Sequence, residues 1–355
     1  MRKRLLIFIA ACLYYSGTVA VARWLTRHRR RLVILNYHRA TGGDLCRHLL
    51  YLRQHYRIMH IEAALEELYA PEAGVVVPDR RTPLVLTFDD GYRDNYTHAF
   101  TLARQWQIPI SLYLVPGYIE SGAHFWWLEG ERLVRHARVP FAVIGGRAYD
   151  LTVVSERAML ADFIDTRVRY ASSVAEREAF LASVYAALAI SSECLSQEDE
   201  AALPLSWEQV VEMEQSGWVS FGAHTLHHPI LAYLADKREV QQEVGACRGV
   251  VECRLSHPVR SFAYPVGQRQ HIGEVALEAV KQAGYRWAVT TSYGFNTPQS
   301  NPHLLRRIEV DVSQHWLVVA AEAAGLWGLF SRLRWQPLIR RYLTNAGKKQ
   351  SSVVQ

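Results

Sequence analysis

Two adjacent carboxylates are the side chains of this chain best placed to do chemistry. Asp89 and Asp90 follow the apolar run 84–88 and precede Gly91. Side chains alternate along a strand, but where a strand turns into a loop both neighbours can face one pocket. One carboxylate could then bind a metal ion while the other moves a proton. Asp-Asp-Gly is equally ordinary turn chemistry, so the pair alone leaves both interpretations open.

Two histidines four residues apart form the second candidate. His224 and His228 follow the short run 219–223. Imidazoles at this spacing can reach one ion, and a carboxylate from elsewhere would complete a two-histidine, one-carboxylate site. Such a site keeps coordination positions for water and substrate. A polar loop that happens to be rich in histidine is the alternative.

A third segment combines an arginine with a Tyr-Pro-x-Gly turn at 260–267. Arg260 could pair with a carboxylate and keep it ionised by Coulomb attraction. The backbone N–H of Tyr264 is expected to be free to donate to an oxyanion, because the predicted strand ends there. A strand closed by a Pro-Gly turn is the simpler interpretation of the same residues.

Strands and helices alternate along the chain and must position these segments. The seven predicted core strands lie at 32–37, 84–88, 110–115, 219–222, 261–264, 286–291 and 306–310. Alternation favours a parallel α/β sheet, and seven such units suit a barrel better than an open sheet. Chemistry in such barrels lies at the C-terminal ends of the strands. His38, Asp89, Asp90, His224 and Tyr264 all fall at such ends.

The three segments, in this order, resemble the NodB-homology polysaccharide deacetylases, a carbohydrate esterase family. The resemblance covers about residues 82 to 312 and rests on Thr-Phe-Asp-Asp-Gly at 87–91, His-Thr-x-x-His at 224–228 and Arg-x-Phe-Ala-Tyr-Pro-x-Gly at 260–267. It implies a deformed (β/α) barrel. It also implies hydrolysis of N-acetyl or O-acetyl groups on sugar polymers with a divalent metal ion.

The resemblance also implies residue roles. Asp89 would be the general base that activates water, Arg260 would orient and tune it, and the Tyr264 N–H would stabilise the oxyanion together with the metal. The metal, with Zn²⁺ the first choice, would polarise the acetyl carbonyl and lower the pKa of its bound water. Its ligands would be Asp90, His224 and His228.

The later motifs of the family are where this chain departs from the pattern. Many members carry a Leu-x-His whose histidine protonates the leaving amine, and the corresponding residues 301–308 lack it. His303 is the candidate general acid there. Tyr-His-Arg at 37–39 and Phe-Trp-Trp at 125–127 resemble a subgroup of the family. His38 is expected at the pocket mouth or in a structural role, and the tryptophans either stack on sugar rings or pack the insertion.

Composition and charge bound the remaining possibilities. The 355 residues are 50% hydrophobic and carry a net charge of +6, with much of the positive charge at the two ends. That distribution favours a membrane surface over nucleic acid as a partner. Residues 5–22 are uncharged and follow Met-Arg-Lys-Arg, which predicts a single N-terminal membrane helix, with a cleaved signal peptide as the alternative. The catalytic domain is then expected to be extracytoplasmic.

The predicted organisation has four parts. Residues 1–31 form the membrane or signal segment, and 32–81 form a strand and helix extension of the barrel. Residues 82–312 form the deacetylase domain, with a helical insertion at about 121–205. Residues 313–355 form a basic segment, which is either an amphipathic helix on a membrane or a last helix packed on the barrel, followed by a tail.

The sequence therefore predicts a membrane-associated, metal-dependent enzyme that removes N-acetyl groups from a polysaccharide or oligosaccharide in envelope or exopolysaccharide metabolism. The partner is an acetylated glycan, and no nucleic acid is expected. Two alternatives stay open. One is a carbohydrate O-acetyl esterase, and the other is a catalytically silent glycan-binding protein on the same fold, which the missing Leu-x-His motivates.

Overall fold

The computed structural model describes residues 2–27, 30–70, 79–190 and 200–326. Most of the predicted basic C-terminal segment lies outside the described residues. The strands are β1 Val33–Tyr37, β2 Arg57–Ile58, β3 Pro83–Phe88, β4 Ile110–Leu114, β5 Phe141–Ile144, β6 Arg147–Asp150, β7 Val219–Ala223, β8 Ser261–Ala263, β9 Trp287–Tyr293 and β10 Leu305–Glu309.

The helices alternate with these strands. They are α1 Arg2–Tyr15, α2 Thr18–Thr26, α3 Leu45–His55, α4 Ile61–Tyr69, α5 Thr101–Trp106, α6 Pro116–Ser121, α7 Glu129–His136, α8 Val154–Arg169, α9 Val174–Ala187, α10 Trp207–Gln215, α11 Lys237–Leu255, α12 Arg269–Gln282 and α13 Trp316–Ala323. A π-helical stretch at Asn95–Phe100 leads into α5.

Seven parallel strands close into a barrel in the order β1, β3, β4, β7, β8, β9, β10. The ring closes because β1 pairs with both β3 and β10. The two-residue β2 adds to β3 outside this ring. The predicted (β/α) barrel of seven strands is confirmed, and all seven predicted core strands are present.

Alternate residues of each strand face the barrel interior. One buried cluster joins Ile34, Val85, Tyr113, Ala263 and Val289 to α4, which covers the N-terminal end of the barrel. The residues between them belong to the cluster under the surrounding helices, such as Leu35, Leu86 and Leu112. This two-residue period fixes which polar side chains can enter the interior. Gly222 is needed there, because a Cβ would lie 2.5 Å from the Tyr113 ring.

The predicted insertion has a hydrophobic cluster of its own. The hairpin β5–β6 turns at Gly145-Gly146, as predicted, and α7, α8 and α9 pack beside it. Their buried side chains include Leu133, Leu160 and Val184, and the cluster reaches Phe125 and Trp126. The insertion therefore brings aromatic side chains up to the C-terminal end of the barrel.

The N-terminal segment is not the single membrane helix that the sequence predicts. It forms α1 and α2, which are separated at Gly17, where φ is +79°, and bent by 67°. No single helix among the described residues is long and apolar enough to cross a bilayer; by length and composition alone, the bent pair could. One side of α1 packs on α13, with the Tyr14 and Trp316 ring centroids 5.0 Å apart.

Candidate metal and hydrolytic site

Three predicted ligands meet at the C-terminal end of the barrel. Asp90 follows β3, while His224 and His228 lie on the loop after β7. The Nε2 atoms of His224 and His228 lie 3.4 Å and 3.5 Å from Asp90 Oδ1. One ligand atom from each residue falls within 4.8 Å of the others, and all three side chains are buried. Two strands that are far apart in the sequence thus bring together one carboxylate and two imidazoles.

The hydrogen bonding of this cluster fits a cation. Asp90 Oδ1 and His228 Nδ1 are buried without a hydrogen-bond partner among the described residues. His224 Nδ1 lies 2.7 Å from the Ala263 carbonyl oxygen. Because a carbonyl can only accept, Nδ1 carries the proton and the lone pair of Nε2 faces Asp90, the usual orientation of a ligating histidine. A buried carboxylate oxygen without a hydrogen-bond partner, beside two imidazoles, is the arrangement expected of a cation-binding site.

The electrostatics of the two histidines differ. Burial would lower the pKa of His224, but Asp90 and Asp89 outweigh it and raise that pKa. Burial, reinforced by the charge of His224, lowers the pKa of His228 well below its usual value. The cluster therefore favours positive charge at His224 and disfavours it at His228, and a divalent cation bound there would take the place of a proton.

The backbone at the ligands is held in a sparsely populated conformation. Asp90, Thr225 and His228 have φ values of 73°, 65° and 55°, although none is glycine. Such left-handed residues cost on the order of 1 kcal/mol or more and persist where neighbouring groups enforce them. Thr225 Oγ1 accepts from the His228 N–H at 3.0 Å, and Trp126 Nε1 donates to the His228 carbonyl at 2.9 Å. The loop is thus fixed from both sides.

Asp89 lies inside the barrel and is held by Arg307 from β10. The guanidinium donates from NH1 and NH2 to the two carboxylate oxygens, each at 2.7 Å. Arg307 also donates to Asn36 Oδ1 at 2.8 Å and to the Thr290 carbonyl at 3.0 Å. Burial would raise the pKa of Asp89, but Arg307, with a contribution from His224, lowers it to about 2. Asp89 is therefore ionised at neutral pH.

The predicted contact between Arg260 and Asp89 is wrong. Arg260 precedes β8 and lies at the N-terminal edge of the barrel, where NH1 is 3.3 Å from Glu66 and 3.9 Å from Glu62 of α4. Its position also places it out of phase with Ser261 and Ala263, which face the interior. A strand cannot carry its first and last residues to the same edge. The ion pair with Asp89 that was expected of Arg260 is made by Arg307.

The predicted positions of His303 and Tyr264 are also corrected. His303 precedes β10, and its Nε2 lies 3.0 Å from the carbonyl of Tyr285, which precedes β9. It is at the edge of the barrel opposite Asp90. The Tyr264 N–H is not free, because it donates to the Val289 carbonyl at 3.2 Å as part of the β8–β9 ladder. The Tyr264 hydroxyl donates to the His303 carbonyl.

His38 is the histidine that the structure does place beside the candidate site. It follows β1, is half-buried, and is close enough for its charge to help lower the pKa values of Asp89 and His228. Its loop is fixed by the buried Asp94, which accepts from Arg39 Nε at 2.8 Å and from two backbone N–H groups. His38 therefore lies beside the candidate site, and its position at a pocket mouth stays a prediction.

The aromatic segment 125–127 divides between packing and the site. Phe125 and Trp126 are buried in the insertion cluster. Trp127 is half-buried, its ring centroid lies 4.2 Å from that of His228, and its Nε1 donates to the Tyr92 hydroxyl at 2.7 Å. The packing interpretation is confirmed for Phe125 and Trp126. Trp127 lies against a candidate ligand, and its stacking on a sugar ring stays a prediction.

The sequence carries a signal for a buried arginine at Arg306 or Arg307. In β10, Leu305 and Arg307 share one face, and Arg306 faces the other way. A strand expected to be covered on both faces therefore had to bury one of two consecutive arginines, and a buried arginine needs a carboxylate. Which arginine is buried depends on the register with β1 and β9, which the sequence does not show.

The parallel barrel carries a buried Asp–His–His cluster beside an ionised aspartate at the end of the barrel where such folds place their chemistry. The sequence pattern of the polysaccharide deacetylases matches residues 77–288. The chain therefore belongs to the polysaccharide deacetylase family, whose members are carbohydrate deacetylases.

Individual proteins agree with this assignment. Over 106 residues the chain is 29% identical to YxkH of Bacillus subtilis (strain 168), whose assigned name is that of a polysaccharide deacetylase; the match spans 30% of this chain and 36% of that relative. Similar solved structures are the deacetylase PplD of Streptococcus pyogenes in complex with acetate (TM-score 0.53, 17% identity, 82% and 98% of the two chains) and IcaB of Ammonifex degensii (TM-score 0.53, 20% identity, 83% and 97%). At these identities the two structures establish the fold.

Proposed function

We propose that this protein hydrolyses N-acetyl groups on a glycan with the help of a divalent metal ion. The observation that carries the proposal is the buried cluster of Asp90, His224 and His228 directly after Asp89, whose two oxygens are held by Arg307. A binding protein on the same barrel would have no need for an ionised aspartate and three converging metal ligands in one pocket.

The three ligands would hold the ion and leave coordination positions for water and substrate. A bound divalent ion, with Zn²⁺ the first choice for this donor set, would polarise the acetyl carbonyl and lower the pKa of a water. The Ala263 carbonyl would fix the orientation of His224, and Trp126 would fix the loop that carries His228. These contacts make the donor set rigid before any ligand arrives.

Asp89 would take the proton from the attacking water. Its low pKa keeps it ionised, and Arg307 fixes the plane of the carboxylate. The water oxygen would bond to the acetyl carbon, and the carbon–nitrogen bond would then break to give acetate and an amine. A carboxylate with so low a pKa is an effective base only toward an acidified water, which agrees with a cation next to it.

His38 would protonate the leaving amine. It is the histidine at the site that is not one of the three candidate ligands, and it is electrostatically coupled to Asp89. Histidine is the side chain that most often donates or accepts a proton in catalysis. His303, at the opposite edge of the barrel, cannot take this role.

An acetylated polymer from envelope or exopolysaccharide metabolism is the proposed substrate, with the catalytic domain on the extracytoplasmic side. Trp127 and Tyr92 form an aromatic surface beside His228 on which the apolar face of a sugar ring could stack. The acetate bound to the Streptococcus pyogenes deacetylase, and a similar fold in a de-N-acetylase of Aggregatibacter actinomycetemcomitans (TM-score 0.52, 15% identity, 82% and 99% of the chains), support an acetyl substrate and amide cleavage.

Metal content and acetate release, measured on the same preparations, test the proposal. The full-length protein should contain a divalent metal and release acetate from N-acetylated chito-oligosaccharides or from another member of a panel of acetylated glycans. Asp90→Ala and His228→Ala should lose both. His271→Ala, which removes a histidine of α12 outside the site, should lose neither. Normal turnover by the first two variants would rule out the mechanism.

The same panel separates the proposal from its alternatives. Faster release from O-acetyl esters than from amides would identify an esterase. A stoichiometric metal with no acetate release from any substrate would favour the glycan-binding alternative.

A further inference from the structure

The outer side of the two N-terminal helices is covered with large apolar side chains. We call this surface the N-terminal apolar face. Its members, with their exposed fractions, are Leu5 59%, Leu6 40%, Phe8 66%, Tyr15 76%, Val21 56%, Trp24 54% and Leu25 58%. Scattered exposed apolar residues are normal, but so many on two short adjoining helices indicate a binding surface.

This face is not the side by which the helices attach to the protein. The attached side of α1 carries Ala10 and Tyr14, which pack with Leu317 of α13. On α2, Val19 is buried in the main core and Arg23 NH1 donates to the Tyr51 hydroxyl at 2.8 Å. Helices on the surface of a soluble domain are normally polar on the outer side. Residues 5–22 contain no charge, so α1 and the start of α2 are apolar on both sides.

A cationic cavity of about 350 Å³ adjoins the apolar face beside Trp24. Its charged lining consists of one aspartate, Asp79, and four arginines, for a net charge of +3. The arginines are Arg23, Arg27, Arg80 and Arg81. His55 also lines the cavity, and burial together with Arg23 and Arg81 lowers its pKa to about 4, so it adds no charge at neutral pH.

We propose that the N-terminal apolar face and this cationic cavity together dock the protein on a membrane that contains anionic phospholipids. The apolar side chains would enter the boundary between headgroups and acyl chains, as they do for helices that lie in the membrane plane. The arginines would bind lipid phosphates, and Trp24, between the two, is a residue typical of the interface. The apolar surface and the excess of positive charge are separate observations that identify the same partner.

The geometry favours helices that lie on the surface over helices that cross it. The 67° bend at Gly17 and the packing of α1 on α13 hold both helices against the domain. Crossing the bilayer would require the helices to straighten and α1 to leave α13. Docking in the membrane plane uses the outer side of the helices and leaves these contacts intact. The proposal is independent of the proposed hydrolysis, because none of these residues contributes to the candidate site.

Vesicle flotation of the full-length protein tests the docking. Wild type should float with vesicles of phosphatidylcholine and phosphatidylglycerol, and less with phosphatidylcholine alone. Phe8→Ser/Trp24→Ser should weaken binding to the mixed vesicles by at least about tenfold, because two large apolar contacts are lost. The matched control is Phe141→Ser/Val143→Ser, which changes two residues of β5 that are 64% and 68% exposed and far from this face; it should bind like wild type.

The charge contribution has its own pair of variants. Arg80→Ser should reduce the preference for phosphatidylglycerol by a few-fold and leave binding to phosphatidylcholine unchanged. Arg135→Ser, at an exposed arginine of α7, should change neither. Inorganic phosphate should not abolish binding to the mixed vesicles, because the apolar contacts need the bilayer. Acetate release from a soluble oligosaccharide, or circular dichroism if none is turned over, should confirm that every variant is folded.

The placement of the helices is tested by protease added outside vesicles carrying bound protein with a tag before Met1. In the docked state the tag and the catalytic domain are on the same side, and both are digested. Protection of the tag would establish a crossing helix and overturn the proposal. It would also be overturned by a wild type that binds neither kind of vesicle, by equal binding of Phe8→Ser/Trp24→Ser and wild type, or by a dimer in solution that this double variant dissociates without any change in vesicle binding.

Discussion

Two arginine–carboxylate pairs lie at opposite ends of the same barrel and differ in almost every respect. Arg307 and Asp89, at the C-terminal end, have side chains 0% and 2% exposed and share two hydrogen bonds of 2.7 Å. Arg260 at the N-terminal end is 46% exposed, and its nearest carboxylate oxygen, on Glu66, is 3.3 Å away. The first pair is desolvated and joined by two hydrogen bonds, and the second pair is in contact with water.

The difference between the two pairs determines how much each contributes to stability. Water screens the Arg260 pair, so its net contribution to stability is expected to be about 0–1 kcal/mol. The Arg307 pair replaces lost hydration with a network that includes Asn36 and Thr290. Removing one member of such a pair leaves the other charged and buried, which costs far more than the intact pair contributes. The mechanism proposed above requires Asp89 to be ionised at that position, and this ion pair meets the requirement.

Arg307→Met is expected to have the largest effect. It should lower the free energy of unfolding by about 3–5 kcal/mol, because Asp89 would lose its counter-charge inside the barrel. Acetate release should fall by at least about 100-fold, since the candidate base would be misaligned and its pKa raised. Chemical denaturation and acetate assays measure the two effects.

Two companion variants separate stability from chemistry in this prediction. Arg307→Lys keeps the positive charge but loses the paired hydrogen bonds of the guanidinium. Its stability and its acetate release should lie between those of wild type and Arg307→Met. Arg307→Met/Asp89→Asn should recover part of the lost stability and none of the activity. An Arg307→Met protein as stable as wild type would mean that the buried pair is not what holds Asp89.

Much of the fold was predictable because it depends on local patterns. Seven apolar runs separated by helical segments indicate seven strands, and all seven exist. The hairpin at Gly145-Gly146 was readable from its turn chemistry. The break at Gly17 was less visible, since an uncharged run of that length is also what a membrane helix needs. It depends on the packing of α1 against α13, which lies near the opposite end of the described chain.

The candidate site was predictable where all the residues that meet belong to the sequence motifs. Asp89, Asp90, His224 and His228 follow strands directly, and parallel strands deliver their C-terminal ends to one place. The partner of Asp89 depends instead on strand register. Arg260 stands just before β8 and Arg307 stands in β10, and the pairing of β10 with β1 decides that Arg307 faces Asp89. His38 and His303 lie at opposite ends of the barrel for a simpler reason. His38 follows a strand, whereas His303 precedes one.

The histidines at the two ends provide the second prediction. His38→Ala should lower kcat for an N-acetylated substrate by roughly 10²–10⁴-fold, the usual loss when a general acid is removed. His303→Ala should stay within about twofold of wild type, because its ring contacts only the Tyr285 carbonyl beyond the site.

An activated ester distinguishes proton donation from a structural role of His38. Nitrophenyl acetate releases nitrophenolate, an anion stable enough to leave without a proton, so His38→Ala should hydrolyse this ester nearly as fast as wild type does. Equal losses on ester and amide would indicate that His38 shapes the pocket rather than protonating the leaving group. A larger loss for His303→Ala than for His38→Ala would restore the assignment made from the sequence.

Arg260→Met is expected to have a small effect. The free energy of unfolding should change by at most about 1 kcal/mol, because the arginine and its two partners, Glu62 and Glu66, are partly or largely solvated. Acetate release and metal content should match wild type. A salt series up to about 1 M provides the check, since screening should remove the difference between Arg260→Met and wild type and leave the effect of Arg307→Met in place. A loss of stability as large as that of Arg307→Met would contradict the contrast between the two ends.

The smallest expected effect is at His257, a second exposed pair at the N-terminal end. His257 precedes β8 and its Nε2 is hydrogen-bonded to Glu214, the side chains being 45% and 23% exposed. Burial lowers the pKa of His257, but Glu214 outweighs it and the pKa is raised. The protonated form is therefore favoured by folding, so its stabilisation is fully present below about pH 6.5 and is lost as the pH rises through the folded-state pKa.

His257→Gln should cost less than about 1 kcal/mol at pH 6 and nothing at pH 9. Denaturation curves at the two pH values measure this, and a cost that grows toward pH 9 would show that His257 stabilises the fold as a neutral side chain.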